Sequence, residues 1–301
     1  MADKTDIDFT YSTMDNIFRL SLGEMADFSG ARYDGDFSLS LEAAQEAKHK
    51  FMADQLHIES GRRVLDMGCG WGPFLNYISR RGAIAMGLTL SDAQYKSCKR
   101  KGFDVAIKDV RTVTPSDFGT FDAIVSVGAF EHFCSFEEYK EGKQEQIYTD
   151  FFQKVYHLLP SHGRFYLQTM TWGRNMIAVE DIHGNPEKGS DAFYIKLMTD
   201  HFPGSWLPYG SEMLLKTASP YFNVVDISSG RLDYIETTRQ WRKRIRKFNM
   251  KKYLLFLRLI PSFIFNKEFR SKLKVFLHRA NQECFEREIM DHYRIVFERK
   301  A

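Results

Sequence analysis

The sequence predicts an α/β fold in which helices cover both faces of one mostly parallel sheet and a helical cap closes its ligand-binding end. Three observations support this fold class. Short apolar runs alternate with helical patterns through residues 59–230, and a glycine-rich turn follows the first run. The last predicted strand, His292 to Glu298, follows a long basic helical stretch. We therefore expect one domain over residues 1–301 whose last two strands flank a helical insertion.

The apolar runs and the helical periodicity place the elements in order. Residues 10–57 are predicted to be helical, and residues 91–101 and 147–159 are predicted helices between strands. Within the single domain we assign 1–58 to an N-terminal helical cap, 59–230 to the cofactor-binding core, 231–290 to a basic insertion and 291–301 to the last strand. The predicted strands are 63–66, 83–88, 104–107, 121–127, 163–171, 222–227 and 292–298.

Composition and charge restrict the class of protein and of its partner. The chain has 301 residues, of which 44% are hydrophobic and 27% charged, and no apolar run is long enough to cross a bilayer. The four cysteines have neither metal-ligand nor disulfide spacing, which predicts a cytoplasmic protein without a metal. The net charge is +3, but Arg239 to Arg279 contains 14 Lys or Arg against Glu268 alone. This asymmetry indicates an anionic partner at one end of the molecule.

The glycine-rich turn is the first candidate site. Asp66 ends the first predicted strand, Gly68, Gly70 and Gly72 follow, and a helix begins after them. Glycines permit the tight turn and let a ligand lie against bare backbone. An acid before a Gly-x-Gly-x-Gly turn suits an ammonium group better than a phosphate, so we infer S-adenosylmethionine (SAM). The alternative is a packing turn between strand and helix.

The ends of the later strands carry the companion residues of this site. Thr89 and Gln94 follow the second strand and are expected near the sugar of SAM, and Asp109 follows the third and is expected near the adenine. Glu131 and His132 follow the fourth strand. Because open α/β sheets bind ligands at the carboxyl ends of their strands, we expect these side chains to converge.

With these residues the chain resembles the cyclopropane fatty acid and mycolic acid cyclopropane synthase family of SAM-dependent methyltransferases. The resemblance implies a class I SAM-dependent methyltransferase fold, which is Rossmann-like with a seven-stranded, mostly parallel sheet and a helical cap. We also place Phe28 and Ser29 in the SAM site. The matching stretches are Leu41-x-x-Ala44-Gln45-x-Ala47-Lys48, Val64 to Gly72, Gly87 to Ser91 with Gln94, Gly128 to Phe133, Leu158-Leu159-Pro160 and Phe202-Pro203-Gly204-x-x-Leu207-Pro208.

The chain departs from this family at one group of residues. Family members that cyclopropanate methylate a cis double bond, and a bound bicarbonate then removes a proton from the carbocation. A glutamate, a histidine, a tyrosine and the backbone around a cysteine hold that bicarbonate. Glu131 matches the glutamate, whereas Gly30, Gln168 and Phe276 stand at the cysteine, histidine and tyrosine positions. A neutral amide does not replace a cationic imidazole beside an anion, which argues against bicarbonate.

Glu131 is the predicted catalytic residue, as a base whose pKa an aromatic-lined pocket raises. The alternative is that Glu131 only forms a hydrogen bond with a neighbouring loop. We expect Gly30, His132, Gln168, Trp172 and Phe276 in the substrate pocket, although a histidine or an aromatic residue at such a position also suits ordinary core packing.

The predicted function is a SAM-dependent methyltransferase acting on a hydrophobic, unsaturated acyl-lipid substrate, by C-methylation or cyclopropanation through a carbocation. One alternative is methylation of a small prenyl compound, amine or phenol, and another is a non-catalytic SAM- or lipid-binding protein. The basic stretch 239–279 suits peripheral contact with an anionic membrane, an acidic acyl carrier, a phosphorylated substrate or simply solvent. Nucleic acid is not expected, because no nucleic-acid-binding module is present.

Overall fold

A computed structural model describes Leu22 and residues 26–182, 184–202, 204–247, 250–266, 270 and 278–301. Its seven strands form one sheet in the order β3-β2-β1-β4-β5-β7-β6, in which only β7 runs against its neighbours. The predicted fold class is therefore confirmed. The strands are β1 Arg63–Met67, β2 Ile84–Thr89, β3 Asp104–Ile107, β4 Ala123–Val127, β5 Arg164–Trp172, β6 Phe222–Ser229 and β7 Met290–Arg299.

Helices connect these strands, and many begin at a polar cap. Ser40 accepts a hydrogen bond from the Ala43 amide at the start of α1, and Ser91 accepts one from the Gln94 amide at the start of α3. The helices are α1 Leu41–Gln55, α2 Pro73–Ser79, α3 Asp92–Arg100, α4 Pro115–Phe118, α5 Phe136–Lys140, α6 Gln144–Leu158, α7 Asp191–His201, α8 Gly210–Ala218, α9 Arg231–Arg246, α10 Met250–Phe265 and α11 Ala280–Glu286.

The two faces of the sheet carry separate apolar layers. Successive strand residues point to opposite faces, so Val64 packs with α1 and α2, whereas Leu65 packs with Phe151 and Phe152 of α6. Both layers are fully buried. The carboxyl ends of β1 and β4 open where the strand order reverses.

A third apolar cluster lies over that end of the sheet and forms the cap. It joins Trp172 of β5 and Trp206 to Tyr234 of α9 and Phe285 of α11. The chain between β6 and β7 therefore returns over the sheet before the last strand begins. Among the described residues, no helix is long and apolar enough to cross a membrane.

Two boundaries differ from the sequence predictions. Residues 26–40 form no helix, because Ala26, Asp34 and Gly35 adopt positive φ and the backbone is bound by distant groups instead. The Ala31 amide donates to Thr237 and its carbonyl accepts from Arg294. The basic insertion 231–290, predicted as one long helical stretch, contains three separate helices among its described residues, and strand β7 begins at Met290.

Candidate active site

The glycine turn forms the floor of a cleft at the carboxyl end of β1. Gly68 and Gly70 have φ values of 98° and 55°, which favour glycine. A Cβ at Gly68 would lie 2.6 Å from the Ala129 Cβ, so the turn and the loop after β4 approach each other too closely for a side chain. Bare backbone therefore faces the cleft, which measures about 1060 Å³ including its open mouth.

Gly72 has a different place from the other two glycines. It lies directly before Pro73 at the start of α2, with a φ of 77°. A Cβ there would lie 2.8 Å from Cδ2 of Phe103, and Gly72 is not among the residues that line the cleft. Its missing side chain lets α2 and Phe103 pack closely, and the contact of Gly72 with SAM stays a prediction.

Asp66 is the acidic group of the cleft. Its side chain is buried, and among the described residues no group donates a hydrogen bond to it. Burial, and secondarily the nearby Asp27 carboxylate, raise the pKa of Asp66 to about 7. A buried carboxylate without a partner is costly, so the site is complementary to a positively charged group. The ammonium end of SAM fits this position.

A buried ion-pair cluster also lines the cleft and was not predicted from the sequence. Lys48 Nζ lies 2.5 Å from Asp27 Oδ2 and donates to Ser29 Oγ at 2.5 Å, and His49 Nε2 lies 3.0 Å from the same carboxylate oxygen. Burial would raise the pKa of Asp27, but the Lys48 charge and the His49 hydrogen bond together hold it well below its usual range. The cluster orders residues 26–30 against α1.

The ends of β2 and β3 supply the side of the cleft expected near the sugar and adenine. The Thr89 hydroxyl donates to Gln94 Oε1 at 2.7 Å, and both side chains are buried and line the cleft. Asp109 also lines the cleft, but its carboxylate is paired with Arg111. Burial raises the pKa of Asp109, and the hydrogen bonds from Arg111 outweigh that effect and lower it.

A second cavity of about 830 Å³ adjoins the first. It is mainly apolar, lined by groups that include Met170, Trp172, Met198, Phe202 and Leu207, and no Lys or Arg of the described chain lines it. Four residues line both spaces, namely Phe28, Ser29, Gly128 and His132. A ligand in the cleft and one in the cavity therefore meet across a shared wall.

Glu131 lies in this cavity and is buried. Its Oε1 accepts a hydrogen bond from the Met170 amide at 2.8 Å, whereas its buried Oε2 has no partner among the described residues. Burial raises the pKa of Glu131 to about 7, against the opposing hydrogen bonds. The sequence left two roles open for Glu131, that of a catalytic base and that of a hydrogen-bond partner of the neighbouring chain. Each role has a physical basis, because Oε1 binds the backbone and Oε2 does not.

Gly30 and Gln168 form a bridge between the N-terminal segment and β5. Gln168 Nε2 donates to the Gly30 carbonyl at 2.9 Å, and its Oε1 accepts from the Tyr166 hydroxyl at 3.0 Å. Both residues line the second cavity. Because the amide is neutral and already bonded at both ends, it brings no positive charge to an anion there.

Three other residues, His132, Trp172 and Phe276, were predicted to line the substrate pocket. His132 lines both spaces, bonds Ser205 Oγ through Nδ1 at 2.8 Å, and has its pKa lowered to about 4 by burial, so it is neutral at neutral pH. Trp172 lines the second cavity and packs on Trp206. Phe276 lies outside the described residues.

The sequence analysis missed several residues of the cavity, among them a tyrosine and a histidine. Tyr234 of α9 and His292 of β7 line it beside Gly30. Both come from the part of the chain where the family resemblance is weak, and neither lies in a motif. The sequence analysis also assigned no role to Lys48, although Lys48 lies within the stretch Leu41 to Lys48 that matches the family.

Among the described residues, no three His, Cys, Asp or Glu are grouped to hold a metal ion.

The fold and the cleft together define a class I SAM-dependent methyltransferase. The sheet order with one reversed strand, the glycine turn at the β1 end and the buried Asp66 beside it carry this conclusion. Comparison with known proteins gives the family. The model of the family described as mycolic acid cyclopropane synthetase matches residues 1–282.

Among curated relatives, cyclopropane mycolic acid synthase 2 of Mycobacterium tuberculosis is 32% identical over 240 residues, covering 77% of this chain and 76% of that protein. Hydroxymycolate synthase MmaA4 of the same species is 30% identical over 243 residues, covering 78% and 76%. The chain belongs to the mycolic acid cyclopropane synthetase family, and it is a SAM-dependent methyltransferase.

Solved structures confirm the fold. The cyclopropane synthase MmaA2 from Mycobacterium tuberculosis superposes with a TM-score of 0.76 at 23% identity, covering 98% of each chain. The mycolic acid cyclopropane synthase CmaA1 complexed with S-adenosylhomocysteine (SAH) and CTAB gives 0.75 at 24% identity, with the same coverage. Coclaurine N-methyltransferase gives 0.72 at 16% identity, covering 98% of this chain and 82% of that one.

Proposed function

We propose that this enzyme transfers the methyl group of SAM to an alkene carbon of a hydrophobic, unsaturated acyl-lipid substrate. The observation that carries the proposal is the shared wall between a cleft suited to SAM and an apolar cavity in which the described residues place one carboxyl group, that of Glu131. Two of the relatives described above are named as enzymes of mycolic acids, which are lipids. An apolar chain gains free energy by leaving water for such a cavity.

Each predicted cofactor residue has a proposed role in the cleft. Asp66 would bind the ammonium group, with the backbone of Gly68 and Gly70 against the amino-acid part. Thr89 and Gln94 would contact the sugar, and Asp109 would accept from the adenine amine with the capacity that Arg111 leaves free. The remaining wall is proposed to come from Phe28 and Ser29. Bound SAM supplies an electrophilic methyl group.

The cavity residues would handle the charge that forms on the substrate. Methylation of an alkene leaves a positive charge on the neighbouring carbon, and the ionised carboxylate of Glu131 would stabilise it. The aromatic faces of Trp172 and Tyr234 would add cation–π attraction. The described parts of residues 1–58 and 231–290 are proposed to form the cap that keeps water away from this charge.

The experiment is methyl transfer from methyl-labelled SAM to phospholipid vesicles. Vesicles with oleoyl chains, which contain a cis double bond, are compared with otherwise identical stearoyl vesicles. We expect label in the lipid fraction only with the oleoyl chains, and NMR of the product separates a cyclopropane from a methyl or methylene branch. Equal labelling of both lipids, or labelling only of a prenyl compound, amine or phenol, would contradict the proposal.

We also propose that α10 and the basic part of α9 contact an anionic membrane surface. Met250, Tyr253, Leu254 and Leu257 recur at helical spacing and are exposed, with 61% of Leu257 accessible. Leu259 packs against a separate apolar cluster that includes Trp71 and Trp241, and it anchors the helix by another side. Lys243, Arg246 and Lys247 are exposed at the end of α9. Apolar side chains beside basic ones favour the surface of an anionic bilayer.

Vesicle sedimentation tests this surface. We expect binding to vesicles that contain anionic lipid, weaker binding to zwitterionic ones, and loss of binding when both Leu254 and Leu257 are changed to Gln. Ile84→Gln serves as the control, because Ile84 is equally exposed on β2 but lies outside the cap. The proposed membrane contact would be overturned if the double variant still bound vesicles, or if the protein bound an acidic acyl carrier protein and not vesicles.

A further inference from the structure

His292 occupies a place in the second cavity that the glycine at residue 30 leaves open. It lies in β7 directly opposite Met170 of β5 and is 2% exposed. A Cβ added at Gly30 would lie 3.1 Å from His292 Cε1 and 3.3 Å from Nε2. The Cε1–Nε2 edge of the ring therefore faces residue 30, and no side chain at residue 30 covers it.

The other edge of the ring is enclosed by the protein. A Cβ at Gly230 would lie 2.4 Å from Nδ1, which is buried and has no hydrogen-bond partner among the described residues. The ring of Tyr234 packs at 5.2 Å from the imidazole. The imidazole is thus held by packing on its Nδ1 side and on its face, with Nε2 directed to the cavity side.

The charged groups around His292 keep the imidazole neutral. Burial is the main cause that lowers the pKa of His292 well below 6.5, and the positive charges of Arg294 and Lys48 lower it further. Arg294 lies in the same strand and is paired with Asp233, and Lys48 of α1 is paired with Asp27. Glu131 is the carboxyl group that lines the same cavity.

The same residues do not fit a bound bicarbonate. No Lys or Arg in the described chain lines the cavity, and the imidazole of His292 is neutral. The Met170 amide is already bonded to Glu131, and the Gln168 amide to Gly30. An anion placed beside Glu131 would meet a carboxyl group without a cation to offset it.

We propose that His292 accepts the proton that the methylated, cationic substrate releases. This inference rests on the proposed alkene methylation. When the methyl group transfers, the alkene π pair forms the new C–C bond and the neighbouring carbon becomes cationic. A C–H bond of the transferred methyl group then breaks and its electron pair closes a three-membered ring on the cationic carbon, or a C–H bond on the carbon next to the cation breaks and its electron pair forms a double bond. In either case the proton binds to the Nε2 lone pair. Glu131, which the sequence analysis predicted as the base, instead stabilises as a carboxylate the imidazolium formed in this buried space.

The test compares His292→Gln with His201→Gln, which changes a histidine that is equally buried but lines neither cavity. We expect His292→Gln to lower turnover on oleoyl vesicles by about 10²–10⁴-fold. Both variants should bind SAH with the affinity of the unchanged protein. The remaining product of His292→Gln should shift towards an alcohol, because a cation that keeps its proton is captured by water.

Two further measurements separate a proton acceptor from a structural residue. Nitrogen NMR of the full-length protein should show a neutral imidazole near neutral pH for the signal lost in His292→Gln. Added imidazole should restore turnover to His292→Ala by at least about tenfold, as a free base can enter the space left. Unchanged turnover and product in His292→Gln would overturn the inference while leaving methyl transfer intact. Absence of transfer in the unchanged protein would refute the proposed function itself, and this inference with it.

Discussion

Asp66→Asn is expected to make the free protein more stable and its cofactor binding weaker. Burial raises the pKa of this carboxyl from 3.8 to about 7. A folded-state pKa above the unfolded one means that the folded protein loses stability as the pH rises between those values, and the loss is complete above pH 7. The difference corresponds to at most about 4 kcal/mol. Asparagine removes this cost because it has no charge to bury.

The charge of Asp66 has the opposite effect when SAH is bound, because it then favours binding instead of lowering the stability of the free protein. An ammonium group beside Asp66 would stabilise the carboxylate by a charge-assisted hydrogen bond of about 1.5–3 kcal/mol, so its loss should weaken SAH binding about 10–100-fold. Protonation of Asp66 competes with the ammonium group. SAH affinity of the unchanged protein should therefore fall as the pH drops below about 7, whereas the affinity of Asp66→Asn should not depend on pH in that range.

The assays are urea unfolding of the free protein and calorimetry with SAH, each at about pH 8 and about pH 5.5. The stability gain of Asp66→Asn should be about 4 kcal/mol at the higher pH and about half of that at the lower, where the carboxyl is protonated in the folded protein but already ionised in the unfolded one. Asp104→Asn is the control, since Asp104 is 71% exposed and should change neither measurement. The reasoning fails if Asp66→Asn is no more stable at the higher pH or binds SAH as tightly as the unchanged protein.

Three other substitutions test the neighbouring groups. Lys48→Met leaves the buried Asp27 carboxylate without its cation and should cost about 3–5 kcal/mol in urea unfolding; a cost below 1 kcal/mol would contradict the ion-pair account. Gly30→Ala places a Cβ 2.8 Å from Tyr234 Cδ2 and should slow turnover while SAH affinity stays within about twofold; loss of both would indicate a wider distortion. Glu131→Gln should lower turnover at least about 100-fold and remove the rise in rate expected as the pH passes about 7, where the carboxyl ionises; an unchanged pH profile would exclude Glu131 as the titrating group.

Much of the sheet could be predicted because each strand carries its own signal. The run from Arg63 is bounded by polar residues and the glycine turn, and the structure extends the predicted strand by one residue to Met67. The N-terminal segment shows the limit of the same method. Residues 26–40 were predicted as helix, but their backbone is held by Thr237 and Arg294, more than 200 residues away in sequence. No local pattern contains that interaction.

The second cavity was only partly predictable for the same reason. Glu131 and Gln168 come at strand ends or within matching stretches, whereas Tyr234 and His292 are brought to Gly30 by the return of the chain through the cap. The protonation state of each titratable group also depends on its surroundings. The pKa of Glu131 rises to about 7 because the cap buries it, and composition alone contains no measure of burial.

The sequence by itself determined the sheet, the glycine turn, the methyltransferase class and the family, because these follow from residues close together in the chain. The tertiary structure decided which side chains share a cavity and how each one is charged. It joined Lys48 to Asp27, left Asp66 without a hydrogen-bond donor among the described residues and brought His292 to the open side of Gly30. Long-range packing sets the burial of each polar group, and burial sets its charge and hence its chemistry.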